Sequence, residues 1–290
     1  MSSSVSLRAP EKFASPRWVT FLPGFPDGSY GFSRVNDLLG EEVTPRLFAE
    51  YLGQGDSDKP AHHKYSTTER ADLIEAQWAN HRIERTTIVT FDYSSLVLME
   101  LLARQQERIA AGQPIAPRID AVLIVNGGLF ADAHSHPWHA TPLIKSVLGG
   151  PAMWAAQRSE RIFGQVIGSA NMFSKEYGVT RDEIHEQYSA ITGRAGAAFL
   201  HRAAGFVAEH KANTDRWNLR RLYRPLRDST TFVVAGSEAD PHEHKQIDAA
   251  RERLGSQGLR VRMFPGGHMT TSEHPDLLAN EIVEVVRAAS

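Results

Sequence analysis

Three residues stand where chemistry could be done. Asp92 lies in TFDYSS (90–95), where an apolar β-type run gives way to a helical pattern. Asp240 in GSEADP (236–241) and His268 in GGHM (266–269) each follow a later apolar run. A carboxylate at a strand-to-helix junction has two readings. It caps the helix, since Asp accepts well from the first orphan N–H groups, or it is a nucleophile facing a pocket. An ordinary aspartate, with a pKa of about 3.9, is ionised at neutral pH without a base. It can attack saturated carbon, opening an epoxide or displacing a halide, and leave an alkyl ester on the enzyme. That ester must then be hydrolysed, which calls for a base to activate water. His268 fits this role, with Asp240 orienting the imidazole and stabilising the imidazolium. The plainer readings are an Asp-Pro turn for Asp240 and a turn-satisfied histidine for His268.

These residues need a scaffold, and the hydrophobic pattern predicts one. Apolar, β-leaning runs occur at 17–22, 46–52, 85–91, 120–126, 230–236 and 259–264. Three are nearly continuous Val, Ile, Leu, Phe and Thr, as expected of strands covered on both faces of a parallel sheet. Helical patterns alternate with them, one opening on a capping box at Ser66 and Glu69. The fold class is therefore α/β, with a mostly parallel, doubly wound sheet. Asp92, Asp240 and His268 all fall at carboxyl ends of strands, where open α/β sheets bind ligands. From 127 to 226 only helical patterns appear, so the chain divides into a core part (1–126), a helical lid (127–226) and a second core part (227–290).

Composition narrows the classes of partner. The 290 residues carry 32 Lys+Arg against 34 Asp+Glu, a net charge of −2. No basic field is offered to nucleic acid or to an anionic membrane. There is no cysteine, which removes disulfides, thiolate metal sites and a Cys nucleophile. The start, MSSSVSLRAPEKF, has no apolar leader pattern, so a soluble cytoplasmic protein is expected. Two histidine clusters, HSHPWH (134–139) and DPHEH (240–244), lack the H-x-x-x-H spacing of a hydrolytic zinc site. They are read as solvated histidines, with no metal. The glycines form no phosphate-binding fingerprint, so no cofactor is expected. A homodimer is a further expectation.

The motifs in sum resemble a family. LPGFPDGSYGF (22–32) is similar to the His-Gly-Phe-Pro oxyanion loop of α/β-hydrolases in the epoxide hydrolase and haloalkane dehalogenase branch. GQGDSDKP (53–60) matches that branch's Gly-x-Gly-x-Ser-x-Lys-Pro loop, TFDYSS occupies its nucleophile elbow, and GGHMTTSEHPDLLANEIVEVV its histidine segment. NGGLFADAH and DRW resemble the mesoderm-specific transcript group within the branch. The resemblance implies an α/β-hydrolase fold with a helical cap, a catalytic triad of Asp92, Asp240 and His268, and an oxyanion hole from the backbone N–H groups of Phe25 and Tyr93. It implies a hydrophobic small-molecule substrate lined by Phe25 and Trp154. A lid tyrosine would supply a proton to an epoxide, with Tyr188 preferred over Tyr177 and Tyr223, and Tyr30, outside the lid, standing equal to it. Ser94 and Ser95 lie past the bend, which disfavours a serine esterase.

Departures from the pattern carry information. Pro23 stands where His is usual, and Thr90 and Ser94 stand where glycines usually permit the tight turn. Tyr93 replaces the tryptophan that donates to halide in dehalogenases, and Phe25 replaces a halide-binding Asn. Epoxide hydrolysis is thus the first expectation and haloalkane dehalogenation the alternative. A catalytically altered member acting as a small-molecule binding or interaction protein is an alternative of another class.

Overall fold

The computed structural model describes residues 16–134, 149–169, 172–193 and 205–289. Six strands form one sheet: β1 (Trp18–Leu22), β2 (Arg46–Phe48), β3 (Arg85–Phe91), β4 (Arg118–Val125), β5 (Thr231–Ser237) and β6 (Arg260–Phe264). Their order is β2-β1-β3-β4-β5-β6, and every neighbouring pair is parallel. After β1 the chain crosses to β2 on one side, then returns to place β3 on the other. The loops leaving β1 and β3 thus sit side by side at the reversal of strand order, the usual position of a ligand crevice.

Period-two alternation divides each central strand between two cores. Leu22, Ile88, Val122 and Val234 face one apolar cluster, while Phe21, Val89, Leu123 and Val233 face the other. Helices α1 (Ser33–Leu38) and α11 (Pro275–Ala288) cover the second face. Helices α2 (Thr67–Asn80), α3 (Ser94–Ala110), α8 (Leu219–Leu226) and α9 (His244–Leu254) cover the first. On α2, Ile74 and Trp78 are one turn apart and both buried. The Trp78 indole N–H is satisfied by donating to Thr20 Oγ1 at 2.9 Å, as a buried indole requires.

Two local expectations change in the structure. The run at 46–52 is a strand only to Phe48, because Glu50 turns aside. Its carboxylate accepts from the Ser29 and Asp56 backbone N–H groups, and so ties together the loops that follow β1 and β2. At the start of α2, Ser66 accepts from the Glu69 N–H at 3.2 Å. The Glu69 carboxylate, however, pairs with His63 at 2.6 Å; an ion-pair partner competes with the return bond that a capping box needs.

Between β4 and β5 the described residues hold α4 (Gly149–Ala156), α5 (Glu160–Ser169), α6 (Arg181–Thr192), α7 (Phe206–Ala212) and α8, with no strand. These helices differ in allegiance. Phe163 and Ile191 form a small cluster of their own, whereas Leu219, Leu222 and Leu226 of α8 are buried in the main core. Arg216 and Trp217, just before α8, reach Glu100 of α3 at 2.6 and 2.8 Å. Burial opposes the Glu100 charge, but Arg216, Trp217 and Arg104 outweigh it and hold the carboxyl at about 2. The segment from Arg216 onward therefore packs against the main core. Trp138 and Phe199, expected within the helical segment, lie outside the described residues.

Candidate active site

The junction at Asp92 is sharply bent. Asp92 has φ +55°, a left-handed backbone that residues with a Cβ seldom adopt, at a cost of order 1–2 kcal/mol. Its N–H donates to Val125 O at 3.0 Å, and Ser95 N–H donates to Asp92 O at 3.1 Å. The bend is thus pinned by β4 on one side and by α3 on the other. Strained backbone of this kind clusters at functional positions. The helix-cap reading fails here. The N-cap of α3 is Tyr93, and the Asp92 side chain points elsewhere.

It points at two groups. Asp92 Oδ2 accepts from the Phe25 N–H at 2.9 Å. Asp92 Oδ1 lies 3.6 Å from His268 Nε2. On the far side of the ring, His268 Nδ1 is 2.9 Å from Asp240 Oδ2. Asp240 Oδ1 accepts from the His242 N–H at 2.8 Å, so Asp240 both makes the turn and orients the imidazole. His268 and Asp240 are buried, while the Asp92 side chain keeps 14% exposure, enough to meet a small molecule. The structure therefore brings Asp92, Asp240, His268 and the Phe25 amide together. Tyr93, one residue past Asp92, leaves its N–H outside the helix's own bonding.

Charge in this cluster is set by competition. Burial works against a charged imidazole at His268, but Asp240 and then Asp92 outweigh it and raise its pKa well above the usual histidine value. Burial likewise opposes the Asp240 charge, and His268 with the His242 amide more than compensates, holding that carboxyl below its normal range. Both shifts favour an imidazolium at His268 beside a carboxylate at Asp240.

The unusual elbow residues have partners. Ser94 Oγ donates to the Pro23 carbonyl and lies 3.1 Å from the Tyr51 hydroxyl. Ser95 Oγ donates to Gly128 O at 3.1 Å. Both serines are fully buried. They fasten the elbow to its neighbouring loops, and neither hydroxyl is open to a substrate.

Residues 21–281 match the model of the alpha/beta hydrolase family. The chain belongs to this family. The chain is 26% identical over 205 residues to the mouse mesoderm-specific transcript protein, covering 70% of this chain and 59% of that one. It thus spans less than two thirds of that relative's length. It is also 26% identical over 210 residues to LipZ of Mycobacterium tuberculosis, a protein named as a hydrolase, over 72% of this chain and 69% of that one. Among solved structures, the haloalkane dehalogenase DatA of Agrobacterium tumefaciens C58 superposes with TM-score 0.70 at 16% identity, covering 96% and 91% of the two chains. A thermophilic esterase of Thermogutta terrifontis gives TM-score 0.67 at 15% identity, over 94% and 90%. At such identities the superpositions establish the shared α/β-hydrolase fold.

Other sequence expectations change in the structure. Trp154 is 50% exposed on α4, with the Arg158 guanidinium 4.3 Å over its ring. It is a surface aromatic rather than a pocket wall, because Arg158, just past the end of that short helix, offers it a cation instead of a core. Phe25 packs against Tyr93 and Phe206, with ring centroids 6.0 and 5.7 Å apart. The Tyr188 hydroxyl donates to Gln157 O at 3.1 Å, binding α6 to the end of α4 rather than reaching toward Asp92. Of the first histidine cluster, His136 and His139 lie outside the described residues. His134 is not solvated as expected, since its Nε2 meets His210 Nδ1 at 2.7 Å. In the second cluster His242 is buried, its ring 5.5 Å from that of His268. Among the described residues no three His, Asp or Glu side chains gather as a metal site.

Two positioning residues escaped the sequence reading. Asn126, at φ +46°, donates from Nδ2 to His268 O at 2.7 Å and accepts at Oδ1 from the Ser237 N–H at 2.9 Å. One amide thus fixes the ends of β4 and β5 and the histidine loop together. The signal was an Asn between a buried strand and Gly127-Gly128, since Asn tolerates the left-handed region. Glu273 accepts from the Gly267 N–H at 3.2 Å and the Ser174 N–H at 2.9 Å, joining the loop before His268 to the helical segment.

Gly24 offers a direct test of the Phe25 amide. A Cβ there would stand 2.6 Å from Phe91 Cδ1 and 3.0 Å from Asp92 Cβ, so the loop must retreat and draw the Phe25 N–H off Asp92. If Asp92 forms the ester proposed below, Gly24→Ala is expected to slow its formation and hydrolysis about 100-fold, the loss for one oxyanion donor. Quenched-flow rates with unchanged substrate binding would show it.

Proposed function

We propose that this chain is a cofactor-independent hydrolase that opens a hydrophobic epoxide through an ester on Asp92. The supporting observation is the placement of the Asp92 carboxylate at a left-handed elbow, between an amide donor and an imidazole backed by a second carboxylate. In the first step Asp92 Oδ1, the oxygen not held by Phe25, attacks an epoxide carbon. The C–O bond breaks, and the released oxygen takes a proton. A β-hydroxyalkyl ester results. In the second step His268, having released its own proton to solvent, removes a proton from water, and the hydroxide attacks Asp92 Cγ. Negative charge collects on the oxygen held by the Phe25 N–H, with the Tyr93 N–H as the second proposed donor. The tetrahedral centre collapses, the alcohol oxygen takes the proton from His268, a diol leaves, and Asp92, left as its acid, passes its proton to His268 and is a carboxylate again.

Esterification also switches the base on. While Asp92 is charged, it helps keep His268 protonated. Once Asp92 is an ester that charge is gone, and the imidazole becomes easier to deprotonate just when water must be activated. Rings of Phe25, Tyr93 and Phe206 beside the elbow favour an apolar substrate. Halide displacement is the weaker reading. Phe25 offers only its amide, and the Tyr93 ring is buried against Tyr51 and Arg70, so neither side chain supplies an N–H to cradle a halide.

Turnover in H2(18)O tests the mechanism. Repeated cycles are expected to place heavy oxygen in the Asp92 carboxylate, detected in its peptide by mass spectrometry. Diol formation without label in that peptide would indicate direct attack by water. A binding protein would show neither diol nor label.

A further inference from the structure

Epoxide opening needs an acid for the departing oxygen; six of the chain's seven tyrosine hydroxyls are hydrogen-bonded elsewhere, and the seventh, that of Tyr93, is buried without a partner. The hydroxyl of Tyr30 donates to Glu186 at 2.8 Å, that of Tyr177 to Glu183, that of Tyr188 to Gln157 O and that of Tyr223 to Gln257 O at 3.0 Å. Tyr51 is bonded to Ser94 and Tyr65 to Pro60 O. The Tyr93 hydroxyl is enclosed in the core.

One acidic group has no such engagement. Asp27 lies two residues after Phe25, on the same loop whose amide holds Asp92. It is 8% exposed, and among the described residues its carboxyl makes no hydrogen bond and no ion pair. It borders a cavity shared with Phe173, Gln187 and Met269, the residue after His268. A buried carboxyl without a partner is costly if ionised, and a second carboxylate nearby adds to the cost.

We propose that Asp27 is the proton donor to the epoxide oxygen, taking the part first expected of a lid tyrosine; this rests on the ester mechanism above. Asp92 Oδ1 forms a bond to carbon, the epoxide C–O bond breaks, and the Asp27 proton passes to the freed oxygen. Asp27 is left as carboxylate and recovers its proton from solvent before the next cycle. Burial first, then the Asp92 charge, push Asp27 up to about 7, with His268 acting the other way. The remaining charged groups on the cavity are Arg34, Glu183 and Glu186. Arg34 is paired with Glu183 at 2.8 Å, and Glu186 accepts from Tyr30.

The test measures single-turnover ester formation by intact mass, with styrene oxide and with 1-iodobutane. Iodide leaves without a proton, so the two probes separate an acid from a structural residue. Asp27→Asn is expected to slow alkylation by styrene oxide about 100-fold and that by 1-iodobutane less than threefold. In the wild type, epoxide alkylation is expected to fall as pH rises through about 7, the value to which the acid form is held. That limb should be missing from the iodide reaction. Equal slowing of both probes, no slowing of either, or a flat wild-type epoxide profile would overturn the assignment, and the last readout needs no variant. Wild-type protein that forms no ester with either probe would instead refute the ester mechanism itself.

Discussion

Mixed with an epoxide it accepts, a His268→Ala protein gains the mass of one substrate molecule per chain and then stops. The two halves of the proposed reaction depend on different groups. Ester formation needs the Asp92 carboxylate and the Phe25 N–H at 2.9 Å; neither is removed with the imidazole. Ester hydrolysis needs a base near Asp92, and His268 Nε2 is the basic nitrogen 3.6 Å from its carboxylate. Loss of the histidine should therefore slow hydrolysis about 10⁴-fold, the scale of triad lesions elsewhere, while the first step continues. Digestion should place the added mass on the peptide containing Asp92. An adduct on any other residue, or sustained turnover, would contradict the assignment. A protein acting only as a binder would return to its original mass on denaturation.

Much of the scaffold was legible because its strands are buried on both faces. Residues 85–91 and 120–125 read as largely apolar runs for the reason that their apolar side chains meet one or other of two cores. The order of Asp92, Asp240 and His268 at strand ends was legible for the same reason: strands position their carboxyl-terminal loops together. What escaped was governed by contacts between distant segments. The bond from Ser94 to Pro23 spans more than seventy residues, and nothing local announces that a residue usually replaced by glycine is here a fastener. Asn126 and Glu273 act through backbone groups of other loops, which leave no mark in side-chain pattern. Trp154 was misread because an aromatic residue signals burial only on average. Asp27 was hidden by its own loop, where Asp followed by Gly reads as ordinary turn chemistry; only its burial beside Asp92 and His268 distinguishes it.

Asp240 carries the other large effect, and Asp240→Asn shows it with little change of shape. Both carboxylate oxygens are in use, Oδ1 by the His242 N–H and Oδ2 by His268 Nδ1. An amide has one oxygen and one NH2 group, so one contact must reverse. If the NH2 group faces His268, the ring must accept at Nδ1 and carry its proton on Nε2, the nitrogen meant to take a proton from water. If the oxygen faces His268, the turn at His242 loses its acceptor and the imidazolium loses its counter-charge. Either way hydrolysis should slow about 10³- to 10⁴-fold, while the first ester forms at close to the normal rate. Pre-steady-state kinetics would then show a burst of one equivalent followed by a slow phase. Glu243 is three residues away and buried, yet it does not rescue. Burial, the largest influence on its carboxyl, raises it well above the ordinary range and so opposes the negative charge that would have to replace that of Asp240. The burst also distinguishes a lost base from a collapsed site, because a disordered elbow would form no ester in the first turnover.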